Sequence, residues 1–144
     1  MEDVSHADLY LRLNSQVGQE RKYYMKTEVV RKNNTEVAVI YSEELLITDV
    51  QSALDLIMTV QYESGCTNIA VNKEAVIEDF FVLSTRLAGE ILQKFINYGV
   101  RFAIYGDFSH YTSKPLKDFM YESNRGKDFY FQPDVTLAVE HLAG

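Results

Sequence analysis

The chain has 144 residues, 47% of them apolar and 24% charged, with a formal net charge of -7. That size and balance predict one globular domain burying roughly two-thirds of the chain's surface, and they exclude a fibrous or disordered chain. The acidic excess also works against nucleic acid as a partner, because the one basic cluster (Arg21, Lys22, Lys26, Arg31, Lys32) is sparse and interrupted by Glu28.

Residues 1–24 read as an N-terminal arm, in which Val4, Leu9, Leu11, Leu13 and Val17 approximate a short amphipathic helix that Gly18 interrupts. The arm is expected to contribute little to folding. From Met25 the pattern sharpens. Thr27–Arg31 and Glu36–Tyr41 are β-rich runs separated by Lys32-Asn33-Asn34-Thr35, and Asn tolerates the left-handed backbone that tight hairpins need. After Leu45-Leu46-Ile47, Thr48 or Asp49 caps a helix from Val50 to about Ser64. Val50, Ala53, Leu54, Ile57 and Met58 mark its buried face, and Gly65 closes it.

Thr67–Val71 is the next strand. Glu78-Asp79 then open the longest helix, where acidic side chains suit the helix dipole, and Phe80, Leu83, Leu87, Ala88, Ile91, Leu92 and Phe95 form its buried stripe. Val100–Tyr105, apolar except for Arg101, reads as a central strand buried on both faces. Thr112 or Ser113 caps a further helix with Pro115 in its first turn. Phe129–Phe131 is the last strand, and Asp134 caps a final helix with Val135, Ala138, Val139 and Leu142 inward. The predicted fold class is α/β: a small mixed sheet, N-terminal hairpin first and parallel strands after it, with about four helices in a single domain over residues 25–144.

Two segments carry a resemblance. One is Leu87-Ala88-Gly89-Glu90-Ile91-Leu92-Gln93-Lys94-Phe95; the other is Gly106-Asp107-Phe108-Ser109-His110-Tyr111-Thr112-Ser113-Lys114, continuing through Leu116–Phe119 to Tyr121–Asn124. Together they resemble the bacterial family called domain of unknown function 4180, over about residues 27–142. That family brings no activity with it. The order of elements is also similar to the STAS fold of anti-sigma-factor antagonists, a likeness of architecture that does not imply function. A switchable STAS protein carries a phosphorylatable Ser or Thr at the start of the helix after its third principal strand. Here that junction, Asn72–Asp79, has no hydroxyl, which argues against such a switch; the acidic pair would at most mimic a charged state.

Sites in such sheets gather beyond the carboxyl ends of parallel strands. The loop after Tyr105 is the richest, and the candidate binding residues are Asp107, Ser109, Tyr111, Ser113, Lys114 and Lys117, which could hold an anion at a helix start. The plainer reading is that Thr112 or Ser113 only caps the helix while Asp107 ties down the turn. Glu90 joins the candidates from the face shared by Arg86, Glu90 and Lys94, whose spacing equally suits solvated ion pairs. His6, His110 and His141 lack metal-ligand spacing, and no Gly-rich phosphate loop or nucleophile elbow is present, so neither metal, cofactor nor catalytic residue is assigned. The late aromatics (Tyr105, Phe108, Tyr111, Phe119, Tyr121, Phe129, Tyr130, Phe131) read as core, with a few available to line a pocket.

Cys66 is the only cysteine, so no intrachain disulfide forms, and a small packing role in a reducing compartment is expected. No apolar run reaches the about 18–20 residues of a membrane span, and the Met-Glu-Asp start is unlike a secretory signal, so a cytoplasmic location is expected. These readings predict a non-catalytic binding or regulatory module of STAS-like fold. The alternative is a small-anion or nucleotide-binding protein, an enzyme in one version, using the loop Asp107 to Lys114. The partner is a protein or a small anionic ligand, and a homodimer is compatible with both.

Overall fold

The computed structural model describes residues 25–144; the amphipathic pattern and arm expected before them lie outside the described residues. Strands β1 (Met25–Lys32) and β2 (Thr35–Ser42) form the antiparallel hairpin. The turn takes positive φ at both Asn33 and Asn34, the geometry that matches the twist of a two-residue hairpin. Helix α1 (Val50–Ser64) begins at Asp49 in a reciprocal capping box with Ser52 and ends at Gly65 with φ 77°. Strand β3 (Asn68–Asn72) follows, then helix α2 (Leu87–Asn97), strand β4 (Arg101–Tyr105), helix α3 (Lys114–Asn124), strand β5 (Phe129–Gln132) and helix α4 (Val135–Ala143).

Among the described residues five strands lie in the order β1-β2-β3-β4-β5, and every pair after the hairpin is parallel. Strands added in one direction through right-handed crossovers place every crossover helix on the same face. Accordingly Ala53 and Ile57 of α1, Ile91 and Phe95 of α2 and Leu116 of α3 share one core with Ile40, Ile69, Val71, Phe102 and Phe131 of the strands. Helix α4 follows the last strand, is not a crossover, and covers the opposite face, where Ala138, Val139 and Leu142 meet Val37, Ala70, Ala103 and Tyr130. The α/β mixed sheet with four helices among the described residues agrees with the sequence expectation. No helix of the described residues is long and apolar enough to cross a membrane.

Several local expectations are corrected. The stretch from Glu78 is not the start of a long helix. It forms short 3-10 turns at Lys73–Ala75, Glu78–Phe81 and Leu83–Thr85, and α2 begins only at Leu87 after Arg86 takes φ 67°. The spacing of Phe80, Leu83 and Leu87 copies a helical stripe, but the backbone is broken by the extended Val82 and the left-handed Arg86. The Thr85 hydroxyl instead binds the carbonyls of Asp79 and Val82, both at 2.8 Å, and holds the turns. The longest helix among the described residues is therefore α1. Strand β4 is interior and buried on both faces as expected, with β3 in the middle of the order. Met58 and Val135, expected inward, are 41% and 37% exposed; Val60 takes the inward place in α1, while Val135 sits in the first turn of α4 at the rim of the apolar face.

The amino end of the parallel strands is closed by Arg101. Its Nε donates to the Lys127 carbonyl at 2.7 Å, one terminal nitrogen to the Leu142 carbonyl at 2.6 Å, and the other to the Tyr130 hydroxyl at 2.8 Å. The guanidinium also lies 5.7 Å from the Tyr130 ring centroid. One planar fork thus ties β4 to β5 and satisfies a carbonyl at the end of α4. The isolated charge in an apolar strand has a structural purpose. Cys66 is likewise buried in the core, and burial pushes its thiol pKa up.

Candidate functional site

At the carboxyl end the side chains leave an opening. Because β3 and β4 are parallel neighbours, the segments that follow them emerge side by side. A cleft of about 500 Å³ lies between residues 78–84 and 110–116, with Glu78, Phe81 and Leu83 on one wall and Tyr111, Ser113 and Leu116 on the other. Its floor is aromatic: the rings of Phe81 and Tyr111 stack 5.2 Å apart at 25°, and His110 lies 4.2 Å from Tyr111. Phe108 packs 5.9 Å from both Phe81 and Phe131 and joins this cluster to the core.

Lys73, directly after β3, is folded into the same cluster. Its ammonium lies 5.2 Å from the Tyr111 ring, 5.6 Å from that of Phe81 and 3.9 Å from the Glu78 carboxylate, with 15% of the side chain exposed. Two aromatic faces and one carboxylate are enough to keep this cation in place with little exposure. Gly106 is required beside it, since a Cβ there would come within 2.8 Å of the Lys73 Cβ.

The Tyr111 hydroxyl is buried and has no hydrogen-bond partner at bonding geometry. Burial first, then hydrogen bonding toward the Glu78 carboxylate, which stops short of full bonding geometry, and that carboxylate's charge push its pKa well above that of an ordinary tyrosine, so it remains a protonated donor. Buried polar groups are almost always paired, and an exception invites a functional account.

The residues singled out from the sequence are dispersed. Tyr111 and Ser113 line the cleft, whereas Asp107 and Ser109 line a separate hollow of about 430 Å³ with Phe131 and Pro133. Asp107 accepts the Ser109 amide at 2.9 Å, and hydrogen bonding from the Ser109 hydroxyl and then its amide holds the carboxyl below the usual carboxylate range. Ser113 accepts the Leu116 amide at 3.3 Å as the cap of α3. Lys114 pairs with Asp118 at 2.7 Å on the exposed side of that helix, and Lys117 is exposed there too. Glu90 is exposed on α2 and lines neither hollow; Arg86 precedes the helix, and no ion pair among the described residues joins it to Glu90 or Glu90 to Lys94. The residues overlooked are Lys73, Glu78, Phe81 and Leu83. Their signal was the aromatic pair Phe80-Phe81 in the segment that follows a parallel strand's carboxyl end.

Fold and cleft together define a small mixed-sheet α/β domain with a ligand-sized opening beyond its parallel strands. The family model "Domain of unknown function (DUF4180)" matches residues 32–142, and the chain belongs to that family. The match starts a little after the residue 27 suggested by the sequence and ends at the same leucine. No curated protein and no solved structure matches the chain.

Proposed function

We propose that the protein is a non-catalytic binding module that takes a small organic ligand into the cleft between residues 78–84 and 110–116. The carrying observation is the unpaired, buried Tyr111 hydroxyl in the wall of a cleft of about 500 Å³. That volume falls within the roughly 300–1,000 Å³ of small-molecule sites, which are mostly apolar with a few placed polar groups. The ligand implied has a flat apolar body to lie against Phe81 and Leu83 and an acceptor for the tyrosine.

The polar groups nearby favour binding over catalysis. Asp107, Ser113 and Lys114 are engaged with Ser109, Leu116 and Asp118 respectively, and no hydrogen bond among the described residues joins a hydroxyl or thiol to a histidine as nucleophilic catalysis needs. The small-anion alternative is less well supported, because Lys114 is directed to Asp118 and Lys73 to Glu78 and the rings. A STAS-like regulatory role would act through ligand occupancy, since the hydroxyl-free junction Asn72–Asp79 is pinned by the bridge between Ile47 and Val76.

Ser84 lines the cleft from an exposed position, so Ser84→Trp fills it without disturbing the core. Compounds that raise the melting temperature of the full chain are expected to lose that effect in the variant, whose own melting temperature stays within about 2 °C of wild type. Undiminished stabilisation of Ser84→Trp would contradict the proposal. Binding that maps to the rim at Val82, 47% exposed, and leaves Tyr111 unperturbed would replace it with a protein-docking surface.

A further inference from the structure

The cleft carries charge of one sign. Among the described residues that line it, Glu78 is the only carboxylate, and none is a Lys or Arg. Lys73 does not line it, and its ammonium stops 3.9 Å from the Glu78 carboxylate, beyond hydrogen-bond distance. The Glu78 side chain is 60% exposed. No hydrogen bond among the described residues reaches that carboxylate at bonding geometry. An ionised carboxylate has about four accepting positions, so most of this capacity is unspent in the cleft wall. An organic acid would be set against the same charge. The amino end of α3, also at the cleft, would attract an acid, but Ser113 Oγ already accepts the Leu116 amide there at 3.3 Å.

The Tyr111 hydroxyl supplies the other half of the pattern. It is a donor beside Glu78 that falls short of bonding it. A donor next to a charged acceptor matches a ligand edge that carries an acceptor next to a donor. We infer, resting on the cleft as the ligand site, that its ligand is a neutral planar heteroaromatic with an amino group beside a ring nitrogen. The ring nitrogen accepts from Tyr111, the amino group donates to Glu78, and the ring lies against Phe81 and Leu83. The ring nitrogen is unprotonated, because a protonated one has nothing to offer the tyrosine. Such an edge exchanges one incomplete contact within the protein for two complete hydrogen bonds, one of them charge-assisted.

Isothermal titration of the full chain at neutral pH with 2-aminoquinoxaline, quinoxaline and quinoxaline-2-carboxylate tests this. The amino compound is expected to bind about tenfold more tightly than quinoxaline, and the carboxylate more weakly than either. Glu78→Gln is expected to cut that preference several-fold while the affinity for quinoxaline, which reports an intact cleft, is unchanged. Ser84→Trp is expected to lose both neutral compounds. Equal binding of the amino compound and quinoxaline overturns the inference. So does a preference that survives Glu78→Gln, tightest binding of the carboxylate, or no binding of any of the three. In the first three of these cases, loss of binding in Ser84→Trp still upholds the cleft as the ligand site. Neutral compounds that bind Ser84→Trp undiminished overturn the cleft and the inference together.

Discussion

The two ends of the parallel strands contrast in how they treat their polar groups. At the amino end Arg101 spends its donors on the carbonyls of Lys127 and Leu142 and the hydroxyl of Tyr130. At the carboxyl end the same sheet leaves the Tyr111 hydroxyl buried and unpaired beside an open cleft. A polar group that closes a helix end stabilises the fold; one left without a partner costs stability and is available to something else. The contrast teaches where to look for function in a family with no assigned activity: at the end whose hydrogen bonding is incomplete.

Arg101→Ala should therefore show the largest effect, about 2–3 kcal/mol of lost stability, because it strips charge-assisted bonds from three elements at once. Arg101→Lys should recover only part of it, a point charge being unable to reproduce the fork. Chemical denaturation measures both. Next comes Ser113→Ala at the mouth of the cleft, expected to cost about 1 kcal/mol as a helix cap whether or not a ligand is present. Smallest, and opposite in sign, is Tyr111→Phe. Removing an unpaired buried hydroxyl should leave stability unchanged or raise it by up to about 1 kcal/mol, while ligand affinity falls. If Tyr111→Phe destabilised the free protein as much as Arg101→Ala, the hydroxyl would be a structural group and the contrast would disappear.

The sequence made the regular elements legible wherever a local signal names them. Asn33-Asn34 marks the hairpin, Asp49 and Gly65 bound α1, and Ser113 and Asp134 cap α3 and α4. It misled at residues 78–86, where apolar spacing copies a helix but the backbone turns at Arg86 and buries two consecutive phenylalanines. The cleft was half legible for a related reason. Its second wall, residues 110–116, follows β4 and drew attention by composition. Its first wall comes from a distant segment and depends on β3 and β4 being parallel neighbours, which no local pattern encodes. Arg101 was visible as the one charge in an apolar strand, but its acceptors lie 26 and 41 residues away.

The most direct test of the cleft is a nitrogen–proton correlation map of the full chain, titrated with aromatic fragments that carry a hydrogen-bond acceptor. The predicted result is that perturbed amides concentrate in residues 78–84 and 110–116, and that Tyr111→Phe weakens the binding of these fragments but not of matched fragments lacking the acceptor. Perturbations centred on the amino end around Arg101, or on the groove between β1 and α4 lined by Val30, Val39 and Val139, would contradict the assignment of the site.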